Sequence, residues 1–167
     1  TIVVFALVRT LGGTTAGLFS ALLIAFTPAI IQRGNLGWFK SEPLGLFLAL
    51  LALYLLISAM KHKPGIAIVK AIAGGLLLGL ANASWGCIQY FSIPISLFLF
   101  AVTFLRNDLR TPLIVAVLFT VAAIIAAGLS PRPGLSFVFG LPGIALIGGT
   151  IFLIASSTVR KFSSSST

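Results

Sequence analysis

Acidic side chains are almost missing from this chain, whose 167 residues include only Glu42 and Asp108 against eleven lysines and arginines. Charged residues of both signs make up 8% of the sequence, whereas soluble proteins contain about 25%. This composition excludes an ordinary soluble domain. The 59% of hydrophobic residues instead predicts a membrane protein.

Cysteine and histidine occur once each, as Cys87 in an apolar run and His62 between two lysines. The chain therefore has no Cys/His cluster with which to hold a metal ion. The formal net charge of +9 would suggest nucleic-acid binding in a soluble protein. Here the basic residues lie in short gaps between apolar runs. We interpret them as anchors that face anionic lipid headgroups, and we predict no nucleic-acid partner.

Long uncharged runs predict an all-α, polytopic bundle, because each transmembrane helix needs about 20 apolar residues. We expect a partial helix at residues 1–8, as the end of a helix that begins outside this sequence, and then six full spans. The predicted membrane domain covers 1–159, and a polar, cytoplasmic tail follows at 160–167. The spans are expected near 11–31, 43–60, 68–86, 88–105, 112–129 and 135–159.

Charge supports this division. The uncharged run at 71–105 is too long for one span, so we place a turn at 85–90, where Trp and Tyr favour the membrane interface. Alternate loops then carry eight basic residues on one side and three on the other. The positive-inside rule predicts that the richer side, with the 61–63 and 106–110 loops, is cytoplasmic and that the Glu42 loop is extracytoplasmic.

Small residues recur at four-residue spacing, as in Gly13/Gly17 and Gly75/Gly79. Such pairs can mark close contacts between membrane helices. Glycine is also frequent in membrane helices without that role. Both interpretations stay open for these two pairs.

Glu42 is the one acid at the predicted outer boundary, and Arg33 and Lys40 are its basic neighbours in the sequence. A carboxylate in a partly dry site can ligate a divalent cation, hold an acceptor by hydrogen bonds or act as a base, while Arg binds phosphate oxygens. We therefore predict a site for a phosphorylated lipid, with Glu42 catalytic and Arg33 and Lys40 binding phosphate or acceptor. The alternative is structural: an acid in a first helical turn is favoured by the helix dipole and pairs with a nearby cation.

A pattern in this region carries a family resemblance. Arg-x-x-x-Gly at 33–37 precedes Trp-Phe-Lys-Ser-Glu-Pro-Leu-Gly-Leu-Phe at 38–47, and Ser-Trp-Gly follows at 84–86 after two more helices. This order of parts resembles the membrane half of the catalytic subunit of oligosaccharyltransferase, a GT-C type glycosyltransferase, and its archaeal members most. The resemblance runs from about residue 9 to 105, and more loosely to the end.

The resemblance implies protein N-glycosylation. The donor would be an oligosaccharide on a polyprenol (dolichol) phosphate or pyrophosphate, and the acceptor the Asn of Asn-x-Ser/Thr in a polypeptide. It also implies a Mg²⁺ or Mn²⁺ ion with Glu42 as a ligand, and a structural role for Trp85 and Gly86. Lys40 stands where the family has its first metal-ligating acid, and a protonated lysine cannot ligate. Either acids elsewhere hold the ion, or the Lys40 ammonium takes over part of its charge.

Two other functions stay open at this point. One is a different polyprenol-phosphate-sugar-dependent membrane glycosyltransferase, and the other is a transporter or structural membrane subunit without enzymatic activity. The sequence contains neither the Trp-Trp-Asp-Tyr-Gly signature of the family nor a second acidic outer loop. We therefore expect the chain to be inactive by itself, as a section of a larger enzyme.

Overall fold

The computed structural model describes residues 1–34 and 41–165, and the regular structure within them is entirely helical. A 3₁₀ segment spans Gly86–Phe91. The α-helices are α1 Ile2–Ala25, α2 Pro28–Arg33, α3 Ser41–Ala59, α4 Pro64–Ser84, α5 Ser92–Leu105, α6 Arg110–Leu129, α7 Ser136–Phe139 and α8 Leu141–Ser165.

Six helical segments among the described residues have the length and apolar composition to cross a membrane. The prediction of an all-α, multi-pass membrane bundle is therefore confirmed. The six segments are Ile2–Ala25, Ser41–Ala59, Pro64–Ser84, Gly86–Leu105, Arg110–Leu129 and Leu141–Lys161.

The first of these segments is folded back on itself at Gly13, whose φ of 86° interrupts the helical backbone. A Cβ at Gly17 would lie 3.1 Å from a ring carbon of Phe5, twelve positions earlier. In a straight helix these positions would be ~18 Å apart, at 1.5 Å per residue. The chain therefore reverses near Gly13, and α1 is a helical hairpin whose second arm leads towards α2. Each arm is ~18 Å long or less, shorter than the ~30 Å hydrocarbon core of a bilayer, so the prediction of one full span at 11–31 is wrong: the reversal at Gly13 divides the 24 residues of this segment between two arms.

Three helix ends differ from the predicted spans. The span expected at 11–31 is interrupted before Pro28, because a residue that precedes proline is pushed out of the helical region, and Thr27 is extended. The span expected at 135–159 begins later, at Leu141, after the separate helix α7 and an extended Gly140. Helix α8 then continues to Ser165, where we expected a polar tail from 160, since no Pro or Gly follows to end it.

Helix α4 packs between α3 and α6, and small residues allow the close approach. A Cβ on Gly75 would lie 2.3 Å from the backbone oxygen of Phe119, and a Cβ on Gly79 would lie 2.3 Å from the Cβ of Ala126. Neither position can hold a larger side chain unless α4 and α6 move apart. Of the two interpretations of the Gly75/Gly79 pair, close helix contact is the one the structure confirms.

The core around α4 is built from alanine and leucine with one large aromatic ring. Phe119 is fully buried in α6 and lies against Gly74 of α4. The next residue, Thr120, has its hydroxyl 2.8 Å from that of Thr150, which joins α6 to α8. Thr150 donates to the backbone oxygen of Leu146 at 2.9 Å and accepts from Thr120, so both buried hydroxyls are paired, which avoids the cost of unpaired polar groups in an apolar environment.

Basic residues from separate loops meet at one end of the bundle. Lys61, after α3, donates to the backbone oxygen of Thr10 in the α1 hairpin. Arg106, after α5, donates to the backbone oxygen of Met60 at 3.1 Å, and Arg160 of α8 donates to the backbone oxygen of Arg106 at 2.8 Å. We call this the basic end. Four chain segments that the sequence assigned to the same side of the membrane meet there: the segment at Arg9 and Thr10, the loop after α3, the loop after α5 and the last part of α8.

Replacing Gly79 with Ala is expected to destabilise the bundle, because the new methyl group would overlap Ala126 and force α4 from α6. Overpacking of this kind costs about 1–3 kcal/mol. The Gly79→Ala variant should therefore melt at a lower temperature than wild type when thermal unfolding is followed in detergent. Gly128→Ala is the matched control, since nothing lies within 4 Å of its added Cβ. Equal melting temperatures for both variants would contradict the packing described here.

Candidate functional site

The first turns of α3 approach the end of α4 through a glycine. A Cβ on Gly45 would lie 2.9 Å from the Cβ of Trp85 and 3.3 Å from Cγ1 of Ile88, so only hydrogen fits between the helices at this point. Trp85 ends α4 in an extended conformation and directs the chain into the 3₁₀ segment. The sequence turn expected at 85–90 is thus a tight 3₁₀ connection, and Trp85 packs directly on α3.

An ion pair joins α2 to α3 at the same end of the bundle. The Nη1 of Arg33, in the last turn of α2, donates to Oε2 of Glu42, in the first turn of α3. The Glu42 side chain is 19% exposed and that of Arg33 is 54% exposed. The carboxylate is therefore mostly shielded, while the guanidinium keeps a face open to solvent or to a ligand.

Both charged groups line a cavity of about 360 Å³. Its walls come from both arms of the α1 hairpin, from α2 and from α3, with Trp85 at one side. Apart from the ion pair and Thr1, the lining is apolar and includes Val4, Ile24, Ile30, Leu46 and Phe47. We call this region the cavity end. It suits an amphipathic molecule, with an anionic group near Arg33 and hydrocarbon along the walls.

The structure brings together three of the residues predicted for the site, Arg33, Glu42 and Trp85. Lys40 lies outside the described residues. Gly86 follows Trp85 but does not line the cavity, and an added Cβ there would meet only Nε2 of Gln89, at 4.0 Å. The described geometry thus gives Trp85 a packing contact with α3 and leaves Gly86 in open space.

The structural interpretation of Glu42 also predicted an ion pair with Lys40 or Arg33 in the first turn of a helix, and the pair with Arg33 is present. The cavity is the feature that this interpretation does not account for. A surface ion pair is worth only about 0–1 kcal/mol, so stability alone is a weak reason for this arrangement. An ion pair at the mouth of an apolar cavity is instead suited to exchange partners with a charged ligand.

Sequence reasoning missed two parts of this site. Gly45 lies in the quoted Leu-Gly-Leu-Phe stretch, but its role depends on the approach of Trp85, which pattern alone does not reveal. Val3 and Val4 were assigned to a partial helix and nothing more. They reach the cavity because the chain reverses at Gly13, and the positive φ there has no sequence signal beyond glycine itself.

The carboxylates of this chain do not form a divalent-metal centre by themselves. Glu42 is engaged by Arg33, and Oδ1 of Asp108 accepts the backbone N–H of Arg110 at 3.0 Å, beside the basic end. Within residues 1–34 and 41–165, no three His, Cys, Asp or Glu side chains come together. At the cavity end, these residues offer a cation one carboxylate.

The family model described as "Oligosaccharyl transferase STT3, N-terminal" matches residues 1–166. No curated protein and no solved structure gives a significant match. The family match includes both the cavity end and the basic end.

Replacing Gly45 with Ala is expected to displace Trp85, because the added carbon would lie 2.9 Å from its Cβ. In a Trp38→Phe background, which leaves Trp85 as the only tryptophan, Gly45→Ala should shift the fluorescence emission and lower the melting temperature. Gly86→Ala is the matched control, since its Cβ would meet only Nε2 of Gln89, at a comfortable 4.0 Å. Unchanged emission in Gly45→Ala would show that α3 and Trp85 are not in this contact.

Proposed function

Because the chain belongs to the STT3 family of oligosaccharyl transferases, we propose that its cavity end binds the phosphate-bearing part of a lipid-linked oligosaccharide donor. The family transfers oligosaccharide from a lipid-linked donor to protein in N-glycosylation, and this chain is a multi-pass membrane section of such a protein. The observation that carries the proposal is the apolar cavity with Arg33 and Glu42 at its mouth.

The proposed donor is an oligosaccharide on a polyprenol (dolichol) phosphate or pyrophosphate. Its first isoprene units would lie along the apolar walls, which removes hydrocarbon from the polar boundary. Its phosphate would meet Arg33, whose planar guanidinium binds two oxygens at once. Lys40, seven positions along the chain from Arg33, is proposed as a second phosphate partner from its sequence position.

Arrival of the phosphate would change the partner of Glu42. In the structure Arg33 is bonded to the carboxylate. When its guanidinium turns to phosphate, Oε2 of Glu42 loses a charged donor, and a shielded carboxylate needs a replacement. The side-chain amide of Asn in Asn-x-Ser/Thr supplies N–H donors, so we propose that Glu42 accepts a hydrogen bond from that amide.

The transfer itself would proceed with inversion at the sugar. The nitrogen of the acceptor amide forms a bond to the anomeric carbon, the bond from that carbon to the phosphate oxygen breaks so that the lipid phosphate leaves with the electron pair, and the displaced amide proton passes to water. Glu42 would orient the amide and stabilise the positive charge that develops on nitrogen. Arg33 would stabilise the negative charge that develops on the leaving phosphate.

The Mg²⁺ or Mn²⁺ ion implied by the resemblance stays a prediction. It would supply electrostatic stabilisation of the leaving phosphate. The described residues at the cavity end contribute one carboxylate, Glu42, which does not fit a complete ion site, and the roles proposed above for Arg33 and Glu42 do not depend on the ion.

We also propose an orientation. The basic end, with the 61–63 and 106–110 loops, would face the cytoplasm according to the positive-inside rule. The cavity end with Glu42 would then open on the extracytoplasmic side.

Replacing Glu42 with Gln in the full-length protein is expected to lower glycan transfer at least about tenfold, because the amide cannot provide the negative charge proposed for the transition state. Transfer to an Asn-x-Ser/Thr peptide would be measured in membranes, with the amount of inserted protein determined in parallel. The neighbouring substitution Gln32→Ala is the control, since Gln32 is exposed and does not line the cavity.

A second variant separates chemistry from ion pairing. In the Arg33→Glu/Glu42→Arg variant the two charges exchange positions, so an ion pair between positions 33 and 42 is restored. If the two residues only connect α2 to α3, this double variant should regain wild-type transfer. We expect it to stay as inactive as Glu42→Gln, and full recovery would contradict the proposed roles.

The single cysteine provides a test of orientation. Cys87 is exposed and follows Trp85 by two residues at the cavity end. A membrane-impermeant maleimide added outside intact cells is expected to label it. The Cys87→Ser/Lys63→Cys variant moves the thiol to the basic end and should be labelled only after the membrane is opened. The reverse pattern would overturn the proposed orientation.

A further inference from the structure

A second cavity lies at the basic end, away from the cavity end. Its volume is about 330 Å³, and it lies between the connection from α5 to α6 and the last turns of the described part of α8. Three cations, Arg110, Arg160 and Lys161, line it together with one acid, Asp108. The excess of two positive charges in so small a space is suited to an anion.

Arg160 is held in place before any ligand arrives. Its Nη1 donates to the backbone oxygen of Arg106 at 2.8 Å, and its Nη2 donates to that of Thr103 at 2.5 Å. These carbonyls lie at the end of α5. The last carbonyls of a helix have no backbone N–H partner within that helix, so the guanidinium supplies the donors. A guanidinium carries five N–H groups, so Arg160 keeps donors beyond these two bonds while its position is fixed by the backbone.

Among the described residues, no ion pair joins Asp108 to the cations of this cavity. Its Oδ1 accepts the backbone N–H of Arg110 at 3.0 Å, which satisfies a donor at the start of α6. The start of α6 also carries the positive end of a helix dipole. The field at the cavity therefore combines three side-chain cations with the beginning of a twenty-residue helix.

We propose that this cavity binds the phosphate of an anionic phospholipid. Apolar side chains close in sequence favour a lipid over a free anion, because Leu113 lines the cavity, and Leu105 and Ile114, which lie two positions before Asn107 and one after Leu113 in the chain, are 79% and 45% exposed. Both side chains lie on membrane-crossing segments, where an acyl chain can cover them. Basic pockets between transmembrane helices are suited to such headgroups.

The test uses the full chain in nanodiscs of phosphatidylcholine with and without phosphatidylglycerol, and native mass spectrometry measures the lipid that stays bound. In the Arg110→Gln/Lys161→Gln variant, bound phosphatidylglycerol is expected to fall roughly 25-fold, at about fivefold for each basic group near an anionic lipid. Arg160 is left intact, because its bonds to the end of α5 also support the fold.

The matched control is Arg9→Gln/Lys63→Gln. It removes the same charge from the chain but from residues that do not line this cavity. It is expected to retain phosphatidylglycerol as wild type does. Equal loss in both double variants would show that the lipid responds only to general positive charge, and the proposed site would be wrong.

Inorganic phosphate distinguishes a lipid from a free anion. Added to the phosphatidylglycerol nanodiscs, it is expected to displace little of the bound lipid, because it lacks acyl chains to cover Leu105 and Ile114. Displacement at millimolar phosphate would assign the cavity to a soluble anion and overturn the lipid proposal. Unchanged glycan transfer in either double variant would not count against the function proposed for the cavity end. Lipid retention and glycan transfer therefore test the two proposals separately.

Discussion

The close approach of α4 to its neighbours is the constraint on which the rest of the structure depends. In lipid there is no hydrophobic gain from burying one apolar helix against another, so association relies on van der Waals contact and interhelical hydrogen bonds. Gly74, Gly75 and Gly79 allow that contact with α3 and α6. Once α3 is fixed against α4, Gly45 meets Trp85, and the first turn of α3 holds Glu42 at the mouth of the cavity.

The two acids show how a chain with little negative charge distributes it. Glu42 balances Arg33 at the cavity end, whereas Asp108 bonds to the backbone at the start of α6 beside the basic end. Each carboxylate therefore has a local partner. Among the described cations, Lys61, Arg106 and Arg160 donate to backbone oxygens instead of pairing with a carboxylate. They lie at the end that the sequence predicts to be cytoplasmic, where their charge can act on anionic lipid.

Hydropathy predicted the helical spans well, because a long apolar run has few alternatives in a membrane. The ends were less predictable, since Pro28 interrupts a run that hydropathy treats as one, and α7 separates from α8 at Gly140. Local sequence predicted that Glu42 pairs with Lys40 or Arg33, and the structure shows the pair with Arg33. The cavity did not, because it requires residues from both arms of α1 and from three other helices, and only tertiary packing brings them together.

The reversal at Gly13 makes the cavity depend on a distant residue. Gly13 lies at the basic end, near the contact between Lys61 and Thr10, yet its left-handed backbone sends the first arm of α1 back to place Val3 and Val4 in the cavity wall. A Cβ at Gly13 meets no atom, so space permits a side chain, but the backbone conformation opposes it. The wall of the cavity near Glu42 therefore depends on one backbone torsion angle ten positions along the chain from Val3, at a residue where only glycine adopts the conformation readily.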